Sequence, residues 1–199
     1  MSRNDENQKC QQLVATAQDL FMRFGIRRVT VEEICSEANV SKMTFYKFFK
    51  NKIELTKYLL NQIFSEQMDE YRKLMAQQVP FPEKVKQILQ LKHKQTEMMS
   101  QEFFNDLLKN PNPEIAELLE KMNADTLNEV LKDLKTAREN GDIRQDLKPE
   151  FILYFLNHMT EITKDENLLS LYRSPNELAM ELTNFFFYGI LTPNADSEV

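Results

Sequence analysis

Residues 24–48, FGIRRVTVEEICSEANVSKMTFYKF, decide how this chain folds. They contain two short helical stretches, each with its own start signal. Thr30 and Glu33 stand at capping-box spacing, so the hydroxyl can accept a free helix N–H while the carboxylate reaches back. Asn39 falls where the chain must turn sharply, and asparagine is one of the few residues besides glycine that tolerates positive φ. Ser41 is placed to cap the second stretch. That stretch carries Lys42, Met43, Thr44, Tyr46 and Lys47 on a segment too short for much core packing. Two helices joined by such a turn form a helix-turn-helix, whose second helix can enter a DNA major groove. Ile34, Ala38, Val40, Phe45 and Phe49 have the spacing of a small three-helix core and are assigned no chemistry.

Outward from this stretch the pattern is helical throughout. A first helix is expected from about Glu6 to Phe24, with Leu13, Ala17, Leu20, Phe21 and Phe24 on one stripe. Behind the pair, Asn51 with Glu54 caps a long fourth helix that runs to about Gln77, where Pro80 and Pro82 break it. A fifth helix is expected over 83–109, and Asn112-Pro113 opens a sixth that ends near Asn140-Gly141. Residues 142–147 read as a loop. Pro149 opens a seventh helix to about Lys164, and Ser174-Pro175 opens a last one to Tyr188-Gly189. Strand signals are missing. The expected fold is all-α: an N-terminal three-helix domain (1–52), joined by a long helix to a larger helical bundle (53–199).

Composition narrows the function. The chain is 42% hydrophobic and 28% charged, which suits a protein with a proper buried core, and no apolar run reaches membrane-span length. The polar start, Met-Ser-Arg-Asn-Asp-Glu-Asn, lacks the apolar segment of a secretory signal, so a cytoplasmic protein without membrane partners is expected. Cys10 and Cys35 have no metal-ligand spacing and fit reduced, small-residue packing better than a disulfide. The net charge of −6 is unevenly split. Residues 1–60 hold ten Lys and Arg against seven Asp and Glu, while the rest hold fifteen against twenty-four. A basic head on an acidic body is the asymmetry expected if only the head meets phosphate.

Positions 10–60 resemble the DNA-binding region of the TetR family of bacterial transcriptional regulators. The likeness runs through Leu20-Phe21-Met22-Arg23-Phe24-Gly25, Val29-Thr30-Val31-Glu32-Glu33-Ile34 and Ala38-Asn39-Val40-Ser41-Lys42-Met43-Thr44-Phe45-Tyr46, and ends on Phe49-Lys50-Asn51-Lys52-Ile53-Glu54-Leu55. Two residues depart from the family pattern: Asn39 stands for the usual turn glycine, and Met43 for a small residue. The resemblance implies that Tyr46 and Lys52 grip the DNA backbone. Lys42, Met43, Thr44 and Lys47 are expected nearer the groove, where Met43 suits apolar contact with a thymine methyl. Thr30 and Ser41, at helix N-termini, are expected beside phosphates; simple capping would also account for both.

The resemblance also implies a homodimer formed by the last two long helices, and a small-molecule effector held in the body. Residues 151–156, Phe-Ile-Leu-Tyr-Phe-Leu, are apolar around nearly the whole helix. Phe151, Phe155 and Met159 are the expected interface on one helix, and Leu178, Leu182, Phe185 and Phe186 on the other. A central helix buried within one subunit would show the same pattern. Met98, Met99, Phe103, Phe104 and Met122 are candidates for lining an effector cavity, with Tyr154, His158 and Glu161 as its polar points. Met and Phe at this spacing also serve plain core packing.

No nucleophile–base set, phosphate-binding glycine loop or metal spacing is present, and His93 and His158 lie far apart, so no catalytic residue, metal site or cofactor is expected. The reading is a DNA-binding regulator: a homodimeric repressor, released from its operator by a small molecule. The alternatives are an all-α interaction protein, or a ligand-independent regulator or activator with the same fold.

Overall fold

The computed structural model describes residues 3–97, 99–109 and 111–192. Ten helices form among them: α1 (Arg3–Phe24), α2 (Val31–Glu37), α3 (Lys42–Phe48), α4 (Lys52–Met75), α5 (Phe81–Glu97), α6 (Gln101–Leu108), α7 (Pro113–Glu139), α8 (Pro149–Ile162), α9 (Glu166–Leu169) and α10 (Pro175–Ile190). Extended pairing among the described residues is limited to one isolated antiparallel bridge, Ile143 with Leu191. The all-α expectation holds.

Two helices differ from the sequence reading. The stretch expected as one helix over 83–109 is two, α5 and α6, because Ser100 starts a new one: its side chain accepts the Phe103 N–H at 3.1 Å. The apolar periodicity runs on across the break and hides it. The four-residue α9 is too short to show a period. It is set by Asp165, whose carboxylate accepts from the N–H groups of Asn167 and Leu168 at 2.9 and 3.0 Å.

The chain divides into two compact units, Met1–Gln67 with Met98–Glu120, and Met68–Glu97 with Lys121–Val199. The boundary expected after residue 52 falls inside the first, because Leu55 and Leu59 of α4 and Phe103 of α6 are buried in it together with Leu13, Ala17 and Phe21 of α1. Each leucine and phenylalanine among them contributes roughly 1.5–3 kcal/mol on leaving water. The second unit has its own core, with Leu74 of α4, Phe81, Val85 and Leu89 of α5, Leu134 of α7, Ile152 of α8, and Phe186, Phe187 and Ile190 of α10. Lys84 closes the end of α4 here by donating to the Met75 carbonyl at 2.6 Å.

Candidate nucleic-acid interface

The helix pair is built as its sequence directs. Thr30 Oγ1 accepts the Glu33 N–H at 3.1 Å, and the Glu33 carboxylate takes the Thr30 N–H at 2.7 Å. Asn39 has φ 51°, so the chain leaves α2 in the left-handed region. The N–H groups of Asn39 and Val40 then close onto the carbonyls of Ser36 and Cys35 at 3.1 and 2.9 Å, a Schellman closure that uses carbonyls the helix leaves open. Ser41 accepts the Thr44 N–H at 3.2 Å, and α3 begins.

One aromatic anchor sets the face that α3 presents. Phe45 is fully buried, meets Tyr46 edge-on at 5.3 Å, and packs on Phe49, which meets Tyr58 of α4 at 5.6 Å. With Phe45 inward, the opposite side must face out. Met43 is 79% exposed and Tyr46 55%, and Lys42 and Lys47 are exposed beside them. Thr44 is half-buried, its hydroxyl 2.9 Å from that of Ser41. Lys42 forms an ion pair with Glu32 of α2. That hydrogen bond holds the Glu32 carboxyl below its ordinary range and raises the Lys42 ammonium.

Lys52 has a different job from the one expected. Its ammonium donates to the carbonyls of Ile26, Arg27 and Val29 at 2.7, 3.2 and 2.6 Å. Lysine has three donors, and all three are engaged with the turn between α1 and α2. Burial lowers its pKa, against the favourable charges of Asp106 and Glu33. Lys52 holds the turn that precedes α2.

The sequence reading missed a second support. Asp106 of α6 accepts the Arg27 N–H at 2.9 Å, and its other oxygen lies 3.4 Å from Arg27 Nε. Its distance of 79 residues from Arg27 gave no signal in a pattern read locally.

The comparisons with known proteins agree with this geometry. Residues 13–59 match the model of the bacterial regulatory proteins, tetR family, and the matched segment contains all of α2 and α3. This segment is the DNA-binding region of the tetR family. The chain is a transcriptional regulator, and the family is not one of enzymes. It is 25% identical over 134 residues to the HTH-type transcriptional regulator YhgD of Bacillus subtilis (strain 168), covering 66% of this chain and 70% of that one. Two solved structures share the fold. FadR from Bacillus subtilis, in complex with stearoyl-CoA, has a TM-score of 0.67 at 16% identity, with 90% of this chain and 98% of that one covered. A transcriptional regulator from Saccharomonospora viridis, in complex with choline, has a TM-score of 0.72 at 15% identity, with 94% and 99% covered.

The body residues expected at a subunit interface differ in exposure. Leu178 and Phe186, expected at an interface between subunits, are 1% and 5% exposed and belong to the chain's own interior. Phe155, Met159 and Leu182 are half-buried. Phe151 and Phe185 stand out at 56% and 71% exposed, and both lie 6.4 Å from the Phe155 ring, so an aromatic patch spans α8 and α10.

The residues expected to line an effector cavity are divided between the two units. Met98 lies outside the described residues. Met99 is half-buried, Phe103 and Phe104 are core of the first unit, and Met122 is buried in the second. Tyr154, His158 and Glu161 are exposed on α8, where the Tyr154 and His158 rings stack at 4.0 Å. α6 packs on α1, and Phe103 and Phe104 are its buried residues. The second unit carries an open groove of about 550 Å³ between α7 and α8, lined by Leu131, Leu134, Ile152 and Leu153 with Lys135 and Arg138. None of the expected residues lines it.

Proposed function

We propose that this TetR-family regulator is a homodimeric repressor that holds double-stranded DNA through α3 and releases it when a small molecule binds. The observation that carries the DNA reading is the outward face of α3. Met43, Tyr46 and Lys47 project from a helix whose inward side is fixed by Phe45. Lys47 and Tyr46 suit phosphate, Met43 suits a thymine methyl, and the N-termini at Thr30 and Ser41 add helix-dipole attraction for the backbone. Lys42, already paired with Glu32, contributes less charge.

One seven-residue helix gives little affinity, and paired half-sites are the usual answer. The aromatic patch at Phe151 and Phe185 supports pairing, because exposed rings of this size mark contact surfaces. The effector reading rests on the stearoyl-CoA and choline complexes of proteins with this fold, and on a groove within the usual size of ligand sites. A ligand can release DNA only by favouring the state that binds it less well.

The test starts from a random pool of duplexes. Repeated capture by the purified protein should enrich one sequence with two related half-sites, and mass photometry should count two protomers per duplex. A pool that stays random after capture sinks the reading.

A further inference from the structure

We infer that Asp106, a residue of α6 outside the helix-turn-helix, positions the DNA-reading helices by clamping the Arg27 peptide against Lys52. The inference rests on the DNA-binding reading proposed above. Arg27 belongs to the turn that leaves α1 and enters α2. Its N–H is held by Asp106 Oδ2 at 2.9 Å, and its carbonyl accepts from Lys52 Nζ at 3.2 Å. Lys52 Nζ also donates to the Ile26 carbonyl at 2.7 Å, so the Ile26–Arg27 peptide is gripped on both polar groups, from two helices. Lys52 extends the grip to the Val29 carbonyl. The next residue is Thr30, the cap of α2. Whatever fixes residues 26–29 therefore fixes where α2 starts and, through the Asn39 turn, where α3 points.

Three further observations tie Asp106 to this task. Its side chain is only 13% exposed, and a carboxylate taken that far out of water needs the partners it has. Gly25 has φ +81°, and a Cβ built there would meet Asp106 Oδ2 at 2.8 Å, so the turn and the carboxylate share one tightly fitted space. The Ser100 N–H donates to the Met22 carbonyl at 2.9 Å, fastening the start of α6 to the last turn of α1. The cores of α1 and α3 are apolar and do not depend on Asp106, so its loss should leave a folded head with a loosened turn.

The test uses the full chain and two probes: the duplex that the wild-type protein enriches from a random pool, and a scrambled duplex of equal length. Asp106→Ala is expected to lose about tenfold or more in affinity for the enriched duplex, the size of loss one charge-assisted hydrogen bond can produce. Binding to the scrambled duplex should stay within about twofold, because the phosphate contacts remain. Asp106→Asn keeps one acceptor for the Arg27 N–H and should fall between. Amide exchange at Arg27 should rise by about tenfold in Asp106→Ala without DNA. In a double-mutant cycle with Lys52→Met, the combined loss should be smaller than the product of the single losses, because both residues hold the Ile26–Arg27 peptide.

A folded Asp106→Ala protein with undiminished discrimination between the two duplexes overturns the inference, as does a fully multiplicative cycle. If that variant does not fold, Asp106→Asn is judged by the same measures. If the wild-type protein enriches no duplex, the DNA reading fails by itself. Unchanged Arg27 exchange would then overturn the clamp separately.

Discussion

Asn39 and Lys52 show what a single residue does and does not announce. Asn39 stands where many turns use glycine, and its φ of 51° matches the reading that asparagine takes the left-handed turn. Asn39→Gly should change stability by only a few tenths of a kcal/mol, while Asn39→Val should cost about 1–2 kcal/mol in a urea titration, since a branched residue resists that φ. Lys52 was not legible in this way. A lysine at a helix start looks the same in sequence whether it faces a phosphate or three carbonyls. The structure distinguishes them, and so can experiment. Lys47→Ala should reduce the salt slope of DNA binding by about one phosphate contact with little change in stability. Lys52→Ala should cost about 1–3 kcal/mol of stability by leaving turn carbonyls unmet. If Lys52→Ala instead matches Lys47→Ala in both measures, the carbonyl assignment is wrong.

Among the elements, α2 and α3 were readable because every signal is local: Thr30 with Glu33, the Asn39 turn, the Ser41 cap. The separation of α5 from α6 was not, because Ser100 is one polar residue in a run whose apolar spacing continues. Phe103 and Phe104 are the buried residues of the helix that Ser100 starts. The anchor of α3 gives a direct check: Phe45→Ala should cost about 3–5 kcal/mol, the range for deleting a buried phenyl ring. In the second unit, α4 and α7 are tied by Tyr71, which donates to Asp133 at 2.8 Å, and by Arg72 on both oxygens of Glu129 at 2.7 and 2.8 Å. Burial first, then Asp133, pushes the Tyr71 phenol well above its ordinary value. The unfolded chain therefore loses this proton more readily than the folded one. The stability tied to it is complete below about pH 10 and declines as pH rises beyond that. Urea midpoints at rising alkaline pH should fall more steeply for the wild type than for Tyr71→Phe, and equal slopes would remove Tyr71 from the account.

For the whole molecule, the proposed function assigns DNA to the first unit and a second copy to the second. Residues 1–60 carry a positive balance while the remainder is acidic, so the net charge of −6 is no obstacle to DNA binding. Phe151 and Phe185 are the exposed rings that pairing would cover. Phe185→Glu should convert the dimer to monomer in light scattering and lower DNA affinity with it, although Phe185 touches no DNA in this account. A dimer of unchanged stability would place the interface elsewhere. The central claim is that the outward face of α3 holds DNA, and one measurement tests it most directly. Fluorescence anisotropy of the enriched duplex should be compared for the wild type and Tyr46→Ala/Lys47→Ala at about 50 to 200 mM salt. For the wild type, log K should fall steeply and linearly with log salt. The double variant should be folded but at least roughly tenfold weaker, with a shallower slope. A double variant that binds as tightly as the wild type, with the same salt slope, would contradict it.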